Sequence, residues 1–374
     1  MSETDKRFMA HALSIGARGL GSVWPNPAVG CVIVRDGRIV GRGWTQPGGI
    51  PHGEVVALAQ AGDAARGATA YVTLEPCSHV GRTPPCADAL IRAGIDRVVV
   101  AIGDPNPQVD GAGVARLREA GIKVTTGVLE AQARATHTGF FARINENRPM
   151  ITLKLAASLD GRIATLSGES KWITGPQARR AVHAMRANHD AVMVGGGTAR
   201  TDDPSLTVRD IGVVRQPTRI VWSRSLDLPL QSVLAATAGQ VPLWILHGEG
   251  ADPHIISAWQ GIGARLFAVP LGADRQLNPV GAMQALAEAG LTRIFCEGGG
   301  QLAASLLGAG LVDELVSFTA GVALGAEGQP MLGPMGHKSL GDARRFEMVQ
   351  TQAIGGDVMA RWRKLHDFSA KNRG

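Results

Sequence analysis

Four residues constrain this chain more than any others: His52, Glu54 two positions later, and the cysteines at either end of Cys77-Ser78-His79-Val80-Gly81-Arg82-Thr83-Pro84-Pro85-Cys86. One imidazole nitrogen and two thiolates form a donor set that zinc prefers. Three protein ligands leave a tetrahedral position open for water, the mark of a catalytic rather than a structural site. His52, Cys77 and Cys86 are therefore the expected metal ligands and Zn2+ the expected ion. Glu54 is the expected catalytic residue, near enough to touch the water without ligating the metal. A zinc-acidified water and a carboxylate that carries its proton to a leaving amine make a hydrolytic deaminase. Any fold of this chain must bring residues 52, 77 and 86 together.

At 374 residues the chain is long for one core and comfortable for two domains. No apolar run is long enough to span a bilayer, and the charged start Ser2-Glu3-Thr4-Asp5-Lys6-Arg7 lacks the apolar stretch of a signal peptide. Cys31 and Cys296 lie in strand-like apolar runs and are expected to be buried free thiols, which fits a cytoplasmic protein with no membrane partner. The net charge of +6 comes from scattered basic residues, and 1 Tyr and 8 Phe supply few stacking platforms. No nucleic-acid partner is expected; anionic small molecules account for the balance.

Helical spacing predicts a first helix over 6–20, and Cys31-Val32-Ile33-Val34 with Asp36-Gly37 predicts a hairpin reaching Gly43. A helix over 54–61 puts His52 and Glu54 at its first turn. A strand over 70–74 delivers Cys77, a helix over 86–93 starts at Cys86, and a strand over 97–102 precedes Asp104. A helix over 114–120, a strand over 122–125 and a last helix to about Asn145 follow. The eight residues between the cysteines are polar, basic and turn-rich, suited to an anionic substrate, with His79 and Arg82 as candidate contacts. Asp104 follows a strand's C-terminal end, where open α/β sheets place ligand groups. Nucleic-acid and free-nucleoside deaminases usually separate their cysteines by two residues.

The pattern Pro-Cys-Ser-His-x-Gly-Arg-Thr-Pro-Pro-Cys resembles the deaminase half of the bifunctional riboflavin-biosynthesis deaminase–reductases. That resemblance implies an N-terminal three-layer α/β/α cytidine-deaminase-like domain, residues 1–147, and places Asn26, held between Pro25 and Pro27, in the substrate pocket. Two departures stand out: Thr45 where many relatives carry His, and Gly53 where Ala is common.

Asn145-Glu146-Asn147-Arg148-Pro149 marks the expected domain boundary. Beyond it, strands are predicted over 150–157, 191–194, 219–222, 243–246, 266–269 and 292–296, with helices over 176–187 and 302–307. The strands over 191–194 and 292–296 run into glycine-rich turns, Gly195-Gly196-Gly197-Thr198 and Glu297-Gly298-Gly299-Gly300-Gln301. Such strand–glycine–helix junctions let a backbone approach a pyrophosphate, although Gly-x-Gly-x-x-Gly is absent. Lys-Leu-x-x-Ser-Leu-Asp-Gly-Arg, Gly-Glu-Ser-x-Trp-Ile-Thr, Thr-x-x-x-Asp-Asp-Pro-x-Leu-Thr-Val-Arg and Glu-Gly-Gly-Gly-x-Leu occur in order. Together they resemble the dihydrofolate-reductase-like domain of the same family, here residues 148–374, which uses NADPH.

The resemblance implies substrate contacts at Ser170, Arg186, Leu206, Arg209 and Glu297. It implies cofactor contacts at Ala156, Trp172, Thr198, Asp202, Gly299, Gly300, Gln301, Leu302, Ala303, Ala304 and Ser305. Arg186 and Arg209 suit a ribose phosphate, and Arg224, after the strand over 219–222, suits the NADPH 2′-phosphate. His183, His189 and His247 are expected to be structural or surface residues without partners.

The implied function is zinc-dependent hydrolytic deamination of 2,5-diamino-6-(5-phosphoribosylamino)pyrimidin-4(3H)-one, followed by NADPH-dependent reduction of its ribosyl group to ribityl. The family further implies a homodimer or homotetramer. A rival reading is a zinc deaminase of a nucleoside or RNA base with a nucleotide-binding second domain.

Overall fold

The computed structural model describes residues 2–81, 83–213 and 215–365. The chain divides into two compact units, Met1–Asn147 and Arg148–Gly374.

The first unit opens with α1 (Glu3–Gly16), whose first turn is capped by the Ser2 hydroxyl accepting from the Asp5 N–H. A hairpin of β1 (Gly30–Arg35) and β2 (Arg38–Trp44) follows. Asp36 and Gly37 turn it with φ of 51° and 72°, the left-handed pair that matches strand twist. Then come α2 (Gly53–Ala61), β3 (Thr69–Val72), α3 (Cys86–Arg92), β4 (Arg97–Val100), α4 (Ala112–Glu119), β5 (Lys123–Thr126) and α5 (Glu130–Glu146). The sheet order is β2-β1-β3-β4-β5, with β1 antiparallel to its neighbours and β3, β4 and β5 parallel. Cys31, Val32 and Ile33 of β1 and Val98, Val99 and Val100 of β4 are fully buried, as strands covered on both faces must be. Asp5 on α1 accepts from both Nη atoms of Arg97 at 2.8 and 3.1 Å and from the Tyr71 hydroxyl at 3.1 Å. That network pins the first helix to β3 and β4, and the Arg97 bonds hold the Asp5 carboxyl down at about 2.

Two glycines bring α2 against β2 with no side chain between them. A Cβ on Gly41 would lie 2.2 Å from the Ala57 carbonyl oxygen, and one on Gly43 would lie 2.3 Å from that of Gly53. Any larger residue would push the helix start, and the residues it carries, off the sheet.

The second unit runs β6 (Met150–Ser158), β7 (Arg162–Ala164), α6 (Pro176–Ala187), β8 (Ala191–Gly195), α7 (Gly196–Asp202), β9 (Thr218–Trp222), α8 (Val233–Ala236) and β10 (Leu243–Gly248). It continues through α9 (Pro253–Gly261), β11 (Arg265–Val269), α10 (Pro279–Glu288), β12 (Arg293–Cys296), α11 (Gly300–Gly308) and β13 (Val312–Ala320). Last come β14 (Gln329–Pro330), β15 (Phe346–Ile354) and β16 (Asp357–Lys364). Nine of these strands form one sheet, ordered β11-β10-β9-β8-β12-β6-β13-β16-β15, parallel as far as β13 and antiparallel beyond it; β7 pairs with β14. β8 and β12 are parallel neighbours, so both glycine-rich turns emerge at the same sheet edge. Asp190 ties the two strand starts together, accepting from the Thr292 N–H and hydroxyl and the Arg293 N–H at 2.7–2.8 Å.

Most predicted elements stand within a few residues of their expected bounds. The first helix is the main exception: it ends at Gly16 and passes into a 3-10 turn over Ala17–Gly19. The strands β13, β15 and β16 have no counterpart in the sequence analysis. Cys31 and Cys296 are buried free thiols, as expected.

His189 corrects the expectation of a partnerless histidine. Its Nδ1 lies 2.7 Å from the Met185 carbonyl, which can only accept, so Nδ1 carries the hydrogen and Nε2 accepts from the Thr152 hydroxyl at 3.0 Å. Burial presses this neutral imidazole down to about 3. A folded value below the unfolded one, about 6.5, means stability that is present above pH 6.5 and lost as pH falls toward 3. Between pH 7 and pH 5, His189→Gln should therefore lose about 2 kcal/mol less unfolding free energy than the parent chain. Urea titrations at both pH values check this; equal losses would refute it.

Candidate active site

His52 occupies the N-cap position of α2 with an extended backbone (φ −69°, ψ 159°), and Glu54 sits in that helix's first turn. Cys86 is the first residue of α3. Its N–H donates to Cys77 Sγ at 3.3 Å, while the Ala87 N–H donates to the Cys77 carbonyl at 3.2 Å. The start of α3 thus holds Cys77 at both its sulfur and its carbonyl. His52 Nδ1 lies 3.3 Å from Cys86 Sγ and 3.6 Å from Cys77 Sγ, and the three ligand atoms all fall within 4.8 Å of one another. Tetrahedral zinc with ordinary Zn–N and Zn–S lengths needs ligand separations of about 3.6–3.8 Å. The donor set fits zinc in kind and in spacing.

The Cys86 thiol, hydrogen-bonded to Cys77, holds Cys77 down at about 4, and in return Cys86 is pushed far up. The cluster's own hydrogen bonds thus favour one thiolate. Glu54 is 3% exposed, and burial, aided by the nearby Cys77 charge, raises its carboxyl to about 7. A carboxyl poised there can both give and take a proton at neutral pH.

His52, Cys77 and Glu54 border a cavity of about 370 Å³, large enough for a pyrimidine nucleotide's base and sugar. Asn26, His79 and Asp104, all expected at the substrate, line it with His52, Glu54 and Cys77. The Asn26 amide donates to the Gly49 carbonyl at 2.8 Å, which fixes the direction of its remaining oxygen. Among the described residues His79 Nδ1 is buried without a hydrogen-bond partner, an atom in want of a ligand. Burial raises Asp104 to about 6. Thr45 lines the cavity too, but its hydroxyl is engaged, accepting from the Val29 N–H at 3.0 Å. Arg82 lies outside the described residues.

Glu75 escaped the sequence analysis. Its buried carboxylate accepts from the Gly111 N–H at 3.1 Å and the Val114 N–H at 3.0 Å, capping α4. That anchors the chain two residues before Cys77. The signal available in sequence was a lone acid after a strand, which usually means a solvated loop.

In the second unit, Arg186 and Glu297 form a two-armed ion pair through Nε–Oε1 and Nη2–Oε2, each residue close to 10% exposed. Arg186 Nη1 also donates to the Thr207 carbonyl at 2.7 Å. Three of its five N–H donors are thus held by protein, and Arg209 is the freer cation: exposed, with Ser205 Oγ at 2.6 Å. The expectation for His183 is corrected here. Its Nδ1 accepts from the Arg209 N–H at 3.3 Å, which puts it beside one of the residues expected at the substrate. Lys154 was also missed. Partly open along its stem, its ammonium is enclosed, and burial lowers it against the opposing pull of Glu297. No hydrogen bond among the described residues joins Ser170 to this cluster.

A separate cleft of about 800 Å³ opens where β8 and β12 end. Thr198, Arg224, Gly299, Gly300, Gln301, Leu302, Ala304 and Ser305, all among the expected cofactor contacts, line it. Gly299 holds φ +53° ahead of α11, a turn that glycine permits. Ala156, Trp172, Asp202 and Ala303 do not line this cleft; Ala303 is fully buried behind it, and Trp172 is exposed under the Arg179 guanidinium. His247 Nδ1 meets the Gly248 carbonyl at 2.9 Å, so this histidine too has a partner.

Comparison with known proteins gives two family matches: the cytidine and deoxycytidylate deaminase zinc-binding region over residues 2–102, and the RibD C-terminal domain over residues 149–360. The riboflavin biosynthesis protein RibD of Escherichia coli K12 is 42% identical over 359 residues, covering 95% of this chain and 98% of the relative. That of Aquifex aeolicus is 41% identical over 357 residues, covering 96% and 98%. Among solved structures, Acinetobacter baumannii RibD superposes with a TM-score of 0.86 at 36% identity, covering 97% of this chain and 99% of the other. A diaminohydroxyphosphoribosylaminopyrimidine deaminase/5-amino-6-(5-phosphoribosylamino)uracil reductase from Thermotoga maritima gives 0.84 at 33% identity, with the same coverage.

The close seat of α2 on β2 makes a direct prediction. Gly43→Ala should displace the helix start that bears His52 and Glu54, costing about 1–3 kcal/mol and lowering metal content well below the parent's. Elemental analysis with urea unfolding tests both; full metal content at parental stability would contradict the steric account.

Proposed function

The chain belongs to the RibD family, the bifunctional deaminase/reductases of riboflavin biosynthesis with a zinc-binding deaminase domain and a reductase domain, and from this premise we propose how its own residues divide the work. The observation that carries the proposal is the His52, Cys77 and Cys86 cluster with buried Glu54 beside it, open to a cavity of nucleotide size.

The first unit, 1–147, takes 2,5-diamino-6-(5-phosphoribosylamino)pyrimidin-4(3H)-one and removes its 2-amino group. His52, Cys77 and Cys86 would hold the zinc, which when bound would supply the Lewis acidity that acidifies water. Glu54 takes up the proton released and gives it to the departing amine at C2; its elevated value suits both transfers. Asn26, His79 and Asp104 orient the pyrimidine, and Arg82 is assigned to its phosphate side.

The second unit, 148–374, reduces the ribosyl group to ribityl. NADPH, when bound, supplies the hydride that goes to the sugar C1′. The glycine-rich turns and the α11 N-terminus receive its pyrophosphate, and Arg224 meets the 2′-phosphate. Thr198, Gly299, Gly300, Gln301, Leu302, Ala304 and Ser305, which line the cleft, are the assigned cofactor contacts, and Ser170, Arg186, Leu206, Arg209 and Glu297 the substrate contacts. Arg209 takes the ribose phosphate; the Arg186–Glu297 pair gives the sugar a fixed polar wall. Lys154, its proton loosened by burial, is the proton source we assign when C1′ accepts hydride. A homodimer or homotetramer is the assembly we assign. Among the described residues no helix is long and apolar enough to cross a membrane.

Mass spectrometry of the diaminopyrimidine nucleotide, incubated with purified protein with and without NADPH, tests both halves. Glu54→Gln should slow amine-to-oxygen exchange by about 10²–10⁴-fold while leaving zinc content and reduction of the deaminated nucleotide intact. Undiminished exchange would overturn Glu54's role. Arg224→Ala should weaken NADPH binding about tenfold, a loss of about 1.4 kcal/mol, with NADH binding unchanged; equal loss for both cofactors would remove Arg224 from the 2′-phosphate.

A further inference from the structure

We propose that His183 is a positioning residue of the reductase unit, holding Arg209 and the segment around it where the substrate phosphate is met. The inference rests on the assignment of Arg209 to that phosphate and deepens it.

His183 and Arg186 are three residues apart on α6 and share a face of that helix. The face meets Ser205-Leu206-Thr207-Val208-Arg209. Three successive backbone units of this segment are each gripped by a side chain. Arg186 Nη1 donates to the Thr207 carbonyl at 2.7 Å. The Gln216 amide bonds Val208 twice, accepting from its N–H at 2.7 Å and donating to its carbonyl at 3.1 Å. His183 Nδ1 accepts the Arg209 N–H at 3.3 Å. Such holding is needed, because Leu206 and Asp210 at either end carry φ of 54° and 61°, costly for residues with side chains. Meanwhile the Arg209 guanidinium is exposed and lies against Ser205 Oγ alone among the described hydrogen-bond partners. A cation so presented, on a backbone so restrained, suits a phosphate dianion.

Only a neutral ring with a bare Nδ1 can accept that N–H. The charged groups facing His183 are Arg186 from its own helix, Arg209 from the segment and Glu297 from the end of β12. Burial first, then the two arginines, outweigh the opposing pull of Glu297 and the Thr207 carbonyl and hold the imidazole below its ordinary value, so it is an acceptor at neutral pH. Acidification would both remove the acceptor and add a third positive charge to the cluster. The segment should then loosen, and substrate should bind more weakly.

Steady-state reduction of the deaminated nucleotide by the full-length enzyme tests this. His183→Ala should raise substrate KM about tenfold, as one lost hydrogen bond would, with kcat within about twofold. His183→Asn, whose amide oxygen can stand near the Nδ1 position, should restore KM toward the parent. Parent KM should climb on acidification below pH 6, and His183→Asn should flatten that limb. Parental KM in His183→Ala, or the same acid limb in His183→Asn, would overturn the proposal. Arg209→Ala separates the two layers. If it leaves KM unchanged, the phosphate assignment itself fails; if it raises KM where His183→Ala does not, only the positioning role fails. Should His183→Ala not fold, the pH dependence of the parent against His183→Asn still decides.

Discussion

The metal-binding unit depends on one steric fact: at Gly41 and Gly43 the backbone of β2 touches the backbone of α2. Nothing larger than hydrogen fits, so the helix start cannot slide or tilt. His52 and Glu54 inherit that rigidity, one at the N-cap and one in the first turn. The other ligands are fixed by polar rather than steric means. Two N–H groups at the start of α3 hold Cys77, and Glu75, clamped to the start of α4, anchors the strand-end loop just before it. A site held by four separate elements needs no flexible arm, and pre-set ligands are what a catalytic metal with three protein ligands requires.

The second unit solves a different problem with the same economy. A dinucleotide and a phosphorylated sugar are both anionic, and both need backbone or cationic donors. Parallel pairing of β8 and β12 puts two glycine-rich turns side by side at one sheet edge, so a single cleft receives two helix starts. The sugar side relies on buried charge instead. Arg186 and Glu297 satisfy each other there, whereas the nearby Arg209 is exposed and meets only Ser205 Oγ among the described hydrogen-bond partners of its side chain. Leaving either buried partner alone would cost several kcal/mol, so the pair is a fixed wall rather than an adjustable contact.

Local chemistry was legible where it was short-range. His52, Glu54, Cys77 and Cys86 could be read because ligand type and open coordination are written in residue identity, and the alternation of strands and helices gave both α/β units. What escaped was whatever depended on a partner distant in sequence. Glu75 meets residues near 111 and 114, Lys154 acts against Glu297, and His183 reaches Arg209. Strand β15 escaped for another reason: most of its side chains are exposed, so no period-2 apolar signal exists. In β13 the buried alternation includes Glu314, which breaks the apolar pattern that sequence reading looks for.

The sequence by itself determined the donor set, the acid that accompanies it, the two-part α/β organisation and the glycine turns. Each follows from residue chemistry or from spacing along a few turns of chain. Only the tertiary structure decided which charges are free and which are already paired. It set Arg186 in an ion pair with Glu297 and turned three partnerless histidines into three hydrogen-bonded ones. The reason is physical: a side chain's identity fixes what it can bind, but burial and the neighbours that folding brings to it fix what it has left to offer.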